Sequence, residues 1–182
     1  MSKLHRFIEE NAGYHVVSTT HWRAPVFRDA ENAVVVVDAL QHIRGRCYLL
    51  AYAVMPDHVH AVIFPKANRA ISSLMQSLKG YSSRRINLLS GRRGPLWQQS
   101  FFDRMIRNER ELFETINYID MNPVVAGLVV QPEDYEFSSA LRPELTDLDA
   151  FYTDDPIDRE TAEAGKPRLP VVAAGVARAR RR

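Results

Sequence analysis

His58 and His60 stand two residues apart in the run His58-Val-His60-Ala-Val-Ile-Phe64, whose alternation reads as a β-strand. Successive strand side chains point to opposite faces, so both imidazoles leave on one side while Val59 turns to the core. Two imidazoles converging from one strand make half a metal site; surface or hydrogen-bonded core histidines fit the same short pattern. Tyr118 is the second reactive group. It falls in a helical stretch with Asn122 four residues on, a spacing that shares one helix face. A phenol beside an amide oxygen is compatible with a nucleophile and a third ligand. A packing tyrosine with a wetted hydroxyl is compatible too. Two neutral imidazoles and one amide oxygen would leave positions open for water and a phosphate oxygen, as a catalytic metal site requires. Mixed nitrogen and oxygen ligation suits Mn²⁺, and Mg²⁺ if water fills most of its shell.

The elements that must position these groups are legible in outline. Tyr14 to Thr20 is rich in aromatic and β-branched residues and reads as a strand. Asp29 to Arg44 reads as a helix that Asp29 caps and Gly45 ends. Cys47 to Met55 is a second strand, and the Pro56-Asp57 turn pair joins it to the histidine strand as a hairpin. Ala70 to Leu89 is helical, with Ile71, Leu74, Met75, Leu78 and Ile86 on one stripe. Trp97 to Ile106 reads as a fourth strand or a pair of extended segments. Asn108, with Glu111 three residues on, begins a last helix over Glu109 to about Asn122, where Pro123 should stop it. The order β-α-β-β-α-β with an added C-terminal helix predicts an α+β chain with a ferredoxin-like antiparallel sheet. Residues 1–140 would form this domain. Residues 141–182, Pro-, Asp- and Ala-rich and ending in Arg178 to Arg182, would be a poorly ordered tail.

Of 182 residues, 46% are hydrophobic and 25% charged, and the formal net charge is +2. That length buries a core without staples, and the single Cys47 cannot form an internal disulfide. The longest apolar run, Cys47 to Met55, is far short of the roughly 18 residues that span a bilayer. Met1 to Gly13 carries no signal-like apolar segment, so a soluble, cytoplasmic protein without a membrane partner is expected. The charge is segregated. Between Lys66 and Arg110 ten basic residues face only Asp103 and Glu109, an excess of eight. Such a stretch is an electrostatic footprint of nucleic-acid binding or a solvated basic face. Lys79, Arg84, Arg85, Arg104 and Arg107 are the phosphate-contact candidates. Trp97 is a candidate to stack an unpaired base, although a large apolar residue in a strand also fits the core. Tyr81, among Lys79, Arg84 and Arg85, rivals Tyr118 but lacks an oxygen ligand one turn on.

Several blocks together resemble one family. Met55-Pro-Asp-His-Val-His60 resembles the histidine–hydrophobe–histidine signature of single-tyrosine transposases. Asn117-Tyr-Ile-Asp-Met-Asn-Pro-Val-Val125 with Gly127-Leu-Val129 is similar to a block of the REP-associated tyrosine transposases. Gly94-Pro-Leu-Trp-Gln98, Phe101-Phe-Asp-Arg-Met-Ile-Arg107, Tyr14-His-Val-Val-Ser18 and Tyr135-Glu-Phe-Ser-Ser139 resemble its other segments, in order, over about Gly13 to Ala140. Asp120-Met121 and Val125-Ala126 depart from the family pattern, the second by losing positive charge.

The resemblance implies a metal-dependent endonuclease and strand transferase acting on single-stranded or hairpin DNA. Tyr118 would be the nucleophile forming a 5′-phosphotyrosine link, and His58 and His60 would hold Mg²⁺ or Mn²⁺ with Asn122 as third ligand. A monomer and a homodimer both fit. The competing reading is a domesticated, non-cleaving nucleic-acid-binding protein of the same fold. An RRM-like module lacks its aromatic strand motif, and a zinc hydrolase lacks H-E-x-x-H.

Overall fold

Pro56 and Asp57 end one apolar strand and begin the next, and the hairpin they make supplies one edge strand and one central strand of the sheet. The computed structural model describes residues 12–67 and 69–153. Its strands are β1 (Gly13–Thr19), β2 (Cys47–Met55), β3 (His58–Pro65) and β4 (Phe102–Ile106); its helices are α1 (Ala30–Ile43), α2 (Ile71–Leu89), α3 (Glu109–Val125) and the short α4 (Leu148–Thr153). The four strands pair antiparallel in the order β2-β3-β1-β4. This is the ferredoxin-like order, reached by two crossover helices. No helix among the described residues is long and apolar enough to cross a membrane.

Strand alternation divides the sheet into two buried faces. Val16, Val59, Ala61 and Ile63 point to the face covered by α1 and α2, in one core with Val36, Leu40, Leu74, Leu78 and Ile86. Ala53, Val62, Phe64 and Ile106 point to the other face, in a second core with Leu112 and Ile119 of α3 and Phe151 of α4. A register shift between Leu49 and Ala51 lets the neighbours Leu50 and Ala51 both join this second core. Helix α1 forms despite four consecutive valines, which are mediocre helix formers. Burial of Val36, Ala39, Leu40 and Ile43 outweighs that cost, and the Asp29 carboxylate accepts the Glu31 N–H at 3.0 Å as the expected cap. Gly13 lies under the Phe64 ring so closely that a Cβ there would fall 2.1 Å from Phe64 Cζ. Any side chain there would force the Phe64 ring or β1 to shift, two residues before His15.

Two boundaries differ from expectation, and the alternative left open at Trp97 to Ile106 is decided for a pair of extended segments. Pro123 does not stop α3, which runs to Val125. Proline removes one N–H and disfavours helix in the preceding residue, yet the buried Pro123 ring is held in the fold. The turn then closes through Ala126 N–H to Asn122 O at 2.9 Å and Leu128 N–H to Pro123 O at 2.9 Å, across Gly127 at φ +68°. Trp97 and β4 are separate extended pieces, the first bridging only to Thr20. The expected tail also begins too early, because the compact unit continues to Tyr152. Asp147 pairs with Arg44 at 2.7 Å and accepts the Leu49 N–H at 2.9 Å, and Phe151 is buried. The remainder of the expected tail, with Arg178 to Arg182, lies outside the described residues.

Candidate active site

His58 and His60 lie on the α3 side of the sheet, not on an open face. Register across β1 explains the company they keep: Val17 pairs with His60, so His15, two residues away on β1, shares the same face. His60 Nδ1 is 3.1 Å from His15 Nε2, and His60 Nε2 is 3.0 Å from His58 Nε2. The His58 Nδ1–H donates to Asp57 Oδ1 at 2.5 Å. Asp57 Oδ2 receives Arg23 at 3.2 Å. Burial works to raise Asp57, but its hydrogen bond to His58, the His58 charge and Arg23 outweigh it and hold the carboxyl below its ordinary value. His60 is only 5% exposed. Burial, and behind it His58 and His15, keeps it neutral, with its pKa pushed down to about 3. Burial and Arg104 lower His15 as well.

Tyr118 closes this cluster from above. Asn108 starts α3 by accepting the Glu111 N–H at 2.9 Å, and Glu111 turns back to the Arg107 N–H at 3.1 Å, a capping box displaced by one residue. Leu112 and Ile119 anchor the helix to the sheet, which brings Tyr118 edge-on to His60 with ring centroids 5.7 Å apart and to His15 at 5.9 Å. Tyr118 remains 54% exposed. It borders a cleft of about 380 Å³ between α3 and β4, lined also by His15, Phe102, Arg104 and Thr115. The two histidines and the tyrosine singled out in the sequence therefore meet. Asn122 does not join them: its Nδ2 donates to the Tyr118 carbonyl at 2.6 Å, folded back on its own helix.

The donor set fits a divalent cation. Asp57 accepts a hydrogen bond at His58 Nδ1 and turns Nε2 toward His60 Nε2, the carboxylate–histidine arrangement found behind metal ligands. Two nitrogens each about 2.1 Å from an octahedral cation stand about 3.0 Å apart at adjacent corners. The two Nε2 atoms have that separation. Among the described residues no group of three or more His, Cys, Asp or Glu is arranged to hold a metal ion. Further coordination would have to come from water, an amide or a phosphate.

The basic candidates divide between the two faces. Arg104 is placed on β4 opposite His15, and Arg107 follows it, forking onto Glu111 at 2.5 Å. Arg84 and Arg85 are exposed on α2, in the layer behind the other face. Two candidates are not free to contact DNA as expected. Lys79 Nζ donates to the carbonyls of Gln98, Gln99 and Ser100 at 2.5, 3.0 and 3.2 Å, strapping the chain that leads into β4. Trp97 is buried, packs 5.1 Å from Phe27 and donates Nε1–H to Ser82 Oγ at 2.9 Å, so its faces cannot stack a base. Tyr81 stacks on His42 at 5.0 Å, in the α1–α2 layer, away from the histidine cluster. His15 was not singled out in the sequence. Its alternation with Tyr14 and Val16 placed it on a face, but nothing local said which strand that face adjoined.

Residues 9–122 match the profile of the family described as "Transposase IS200 like". The chain belongs to that family. Within it, a REP-associated tyrosine transposase of Escherichia coli (strain K12) is 30% identical over 90 residues, 49% of this chain and 52% of that protein. The chain thus spans about half the length of this relative. The fold is shared with a solved REP-associated tyrosine transposase bound to a REP hairpin, at TM-score 0.58 and 22% identity, over 72% of this chain and 78% of the other. The family match covers β1 through most of α3, which contains every residue of the histidine–tyrosine cluster.

Asp120 on α3 has a structural consequence of its own. Burial pushes its pKa up to about 6 against the Ser139 hydroxyl at 3.3 Å. The Ser139 oxygen also receives the Tyr52 N–H at 2.9 Å, tying α3 to β2. The unfolded carboxyl ionises near 3.9 and the folded one near 6. The folded chain therefore holds the proton more tightly, and Asp120's contribution to stability is lost as pH rises from about 4 through about 6. A shift of this size corresponds to about 2–3 kcal/mol. Denaturant unfolding of wild type and Asp120→Asn at pH 4.5 and pH 7 should show the variant gaining about that much relative to wild type at the higher pH. Equal differences at both values would refute the assignment.

Proposed function

We propose that this chain cleaves and rejoins single-stranded DNA beside a hairpin, with Tyr118 as nucleophile and His58 and His60 as ligands of a divalent cation. The observation that carries the reading is the approach of a half-exposed tyrosine to the paired Nε2 atoms, 5.7 Å from the His60 ring centroid, over an open cleft. Family membership supports strand cleavage and joining as the reaction class. The relative seen bound to a REP hairpin supports hairpin DNA as the substrate class.

In the forward step Tyr118 Oη attacks the phosphorus. A P–Oη bond forms, the P–O3′ bond breaks, and the 3′ oxygen leaves as a hydroxyl after taking up a proton. The phenol must lose its own proton, and its half-exposed position leaves a route for that proton to solvent. Asp57 orients His58 through Nδ1 and burial keeps His60 neutral, so the facing Nε2 atoms are the ones that would hold a cation. A divalent cation held there would polarise the phosphate as a Lewis acid and orient it for in-line attack. Arg104 at the cleft mouth offers a charge to a neighbouring phosphate. Rejoining reverses the step, with a 3′-OH attacking the phosphotyrosine, so bond energy is conserved and no nucleotide cofactor is consumed. Incubation with a hairpin oligonucleotide carrying a single-stranded flank and Mn²⁺ should yield a denaturation-resistant protein–DNA adduct that peptide mapping assigns to Tyr118. An adduct mapped to another residue would overturn the assignment.

A further inference from the structure

Immediately after β1 the chain makes a tight turn that nothing in the chemistry above uses. His21, Trp22 and Arg23 form a single 3₁₀ turn in which Trp22 has φ +57° and Arg23 φ +52°. Two successive non-glycine residues in the left-handed region are disfavoured sterically and persist only where surrounding bonds enforce them. Here they are enforced. The Thr20 N–H and Oγ1–H both donate to the Asp57 carbonyl, at 2.8 and 2.9 Å, and the His21 N–H donates to Leu96 O at 2.8 Å. The outcome of this constraint is an indole that is 87% exposed. Its edge is braced by the His21 ring at 5.1 Å. Trp22 borders a shallow cleft of about 430 Å³ whose other walls are His21, Arg23 and Gln98.

We propose that this cleft is a subsite for one unpaired nucleotide of the DNA strand, its base stacked on Trp22 and its phosphate on Arg23. The inference rests on the DNA-cleaving reading above and adds a residue that holds the single-stranded flank. A lone aromatic face rimmed by guanidinium, imidazole and carboxamide groups matches a nucleobase with its phosphate better than it matches an apolar protein surface. Gln98 and His21 bring hydrogen-bonding groups to the edge of a stacked base. The position is also mechanically joined to the cluster. Asp57 receives Arg23 on one carboxylate oxygen and His58 on the other, so a strand seated on Trp22 runs past the turn that sets His58.

The chain has two tryptophans, and Trp97 is buried on Ser82, so a change in indole fluorescence on adding DNA reports Trp22. A hairpin oligonucleotide with a single-stranded flank should quench that emission, and the same hairpin without the flank should not. Trp22→Ala should weaken binding of the flanked hairpin about tenfold and of the blunt hairpin less than twofold, the loss expected for one stacked base. Trp22→Phe, which keeps a ring, should retain most of the affinity, and a thermal melt checks that both variants fold. Absence of quenching, or equal loss on the two hairpins, overturns the subsite. Adduct formation at Tyr118, scored with the same oligonucleotides, separates the two ideas. An adduct without quenching sinks the subsite alone, while quenching with selective loss but no adduct sinks the cleavage reading alone. If neither hairpin binds, both fall.

Discussion

Tyr118→Phe is expected to eliminate the covalent protein–DNA adduct and to lower strand cleavage by about three orders of magnitude or more, while hairpin binding persists. The substitution deletes only the oxygen that would form the bond to phosphorus, and the other α3 hydroxyl bordering the cleft, Thr115, is bonded to the Glu111 carbonyl at 2.6 Å. Tyr81 cannot substitute, because it is packed on His42 in the α1–α2 layer. Tyr118 is half exposed and its neighbour Ile119 supplies the anchoring contact, so stability should change by less than about 0.5 kcal/mol. Activity lost without unfolding would therefore report chemistry. Cleavage by the variant at the wild-type rate would sink the assignment of the nucleophile.

His58→Ala and His60→Asn should each lower cleavage by about 10²–10³-fold and shift the response to added Mn²⁺ to higher concentration. In the proposed site, removing one imidazole would leave a single protein ligand, and the remaining Nε2 would compete poorly with water for a hard cation. His58 is the cleaner probe, because it is partly exposed while His60 is buried and its loss disturbs packing. A chelator added to the wild type should reproduce the residual rate of the variants. Metal-independent cleavage, or variants that respond to Mn²⁺ like wild type, would remove the cation from the mechanism. Arg84→Ala, on the other face, is a useful comparison for effects that come from charge alone.

What could be read from the sequence was what depends on local period and chemistry. The two-residue spacing of His58 and His60 fixed their shared side, and Asp29 and Asn108 capped the helices that their positions suggested. Tyr118 stood out by its helical spacing to Asn122, a spacing that a packing tyrosine fits as well, and the block around it that resembles the family favoured the nucleophile. Long-range facts were not legible. His15 became part of the cluster only through the β1–β3 register. Lys79 looked like a phosphate contact because a lysine in a basic run has no visible partner until the chain before β4 folds over it. Trp97 was ambiguous between base and core until Ser82 and Phe27 enclosed it. Charge density along the chain was misleading in the same way: Arg84 and Arg104 are near in sequence terms, yet a sheet separates them.

That separation also has a consequence for how the protein opens. The apolar interior is two bodies, one beneath α1 and α2 and a smaller one beneath α3 and α4. Local unfolding follows such boundaries, and the layer with the smaller buried surface opens at the lower free energy. The helix bearing Tyr118 is therefore expected to lift from the histidines before β1, β3 and their own helical cover open. Amide protons of α3 would then exchange ahead of those in α1. In the proposed reaction the tyrosine carries a DNA end and later releases it, and it would do so from the layer with the smaller core.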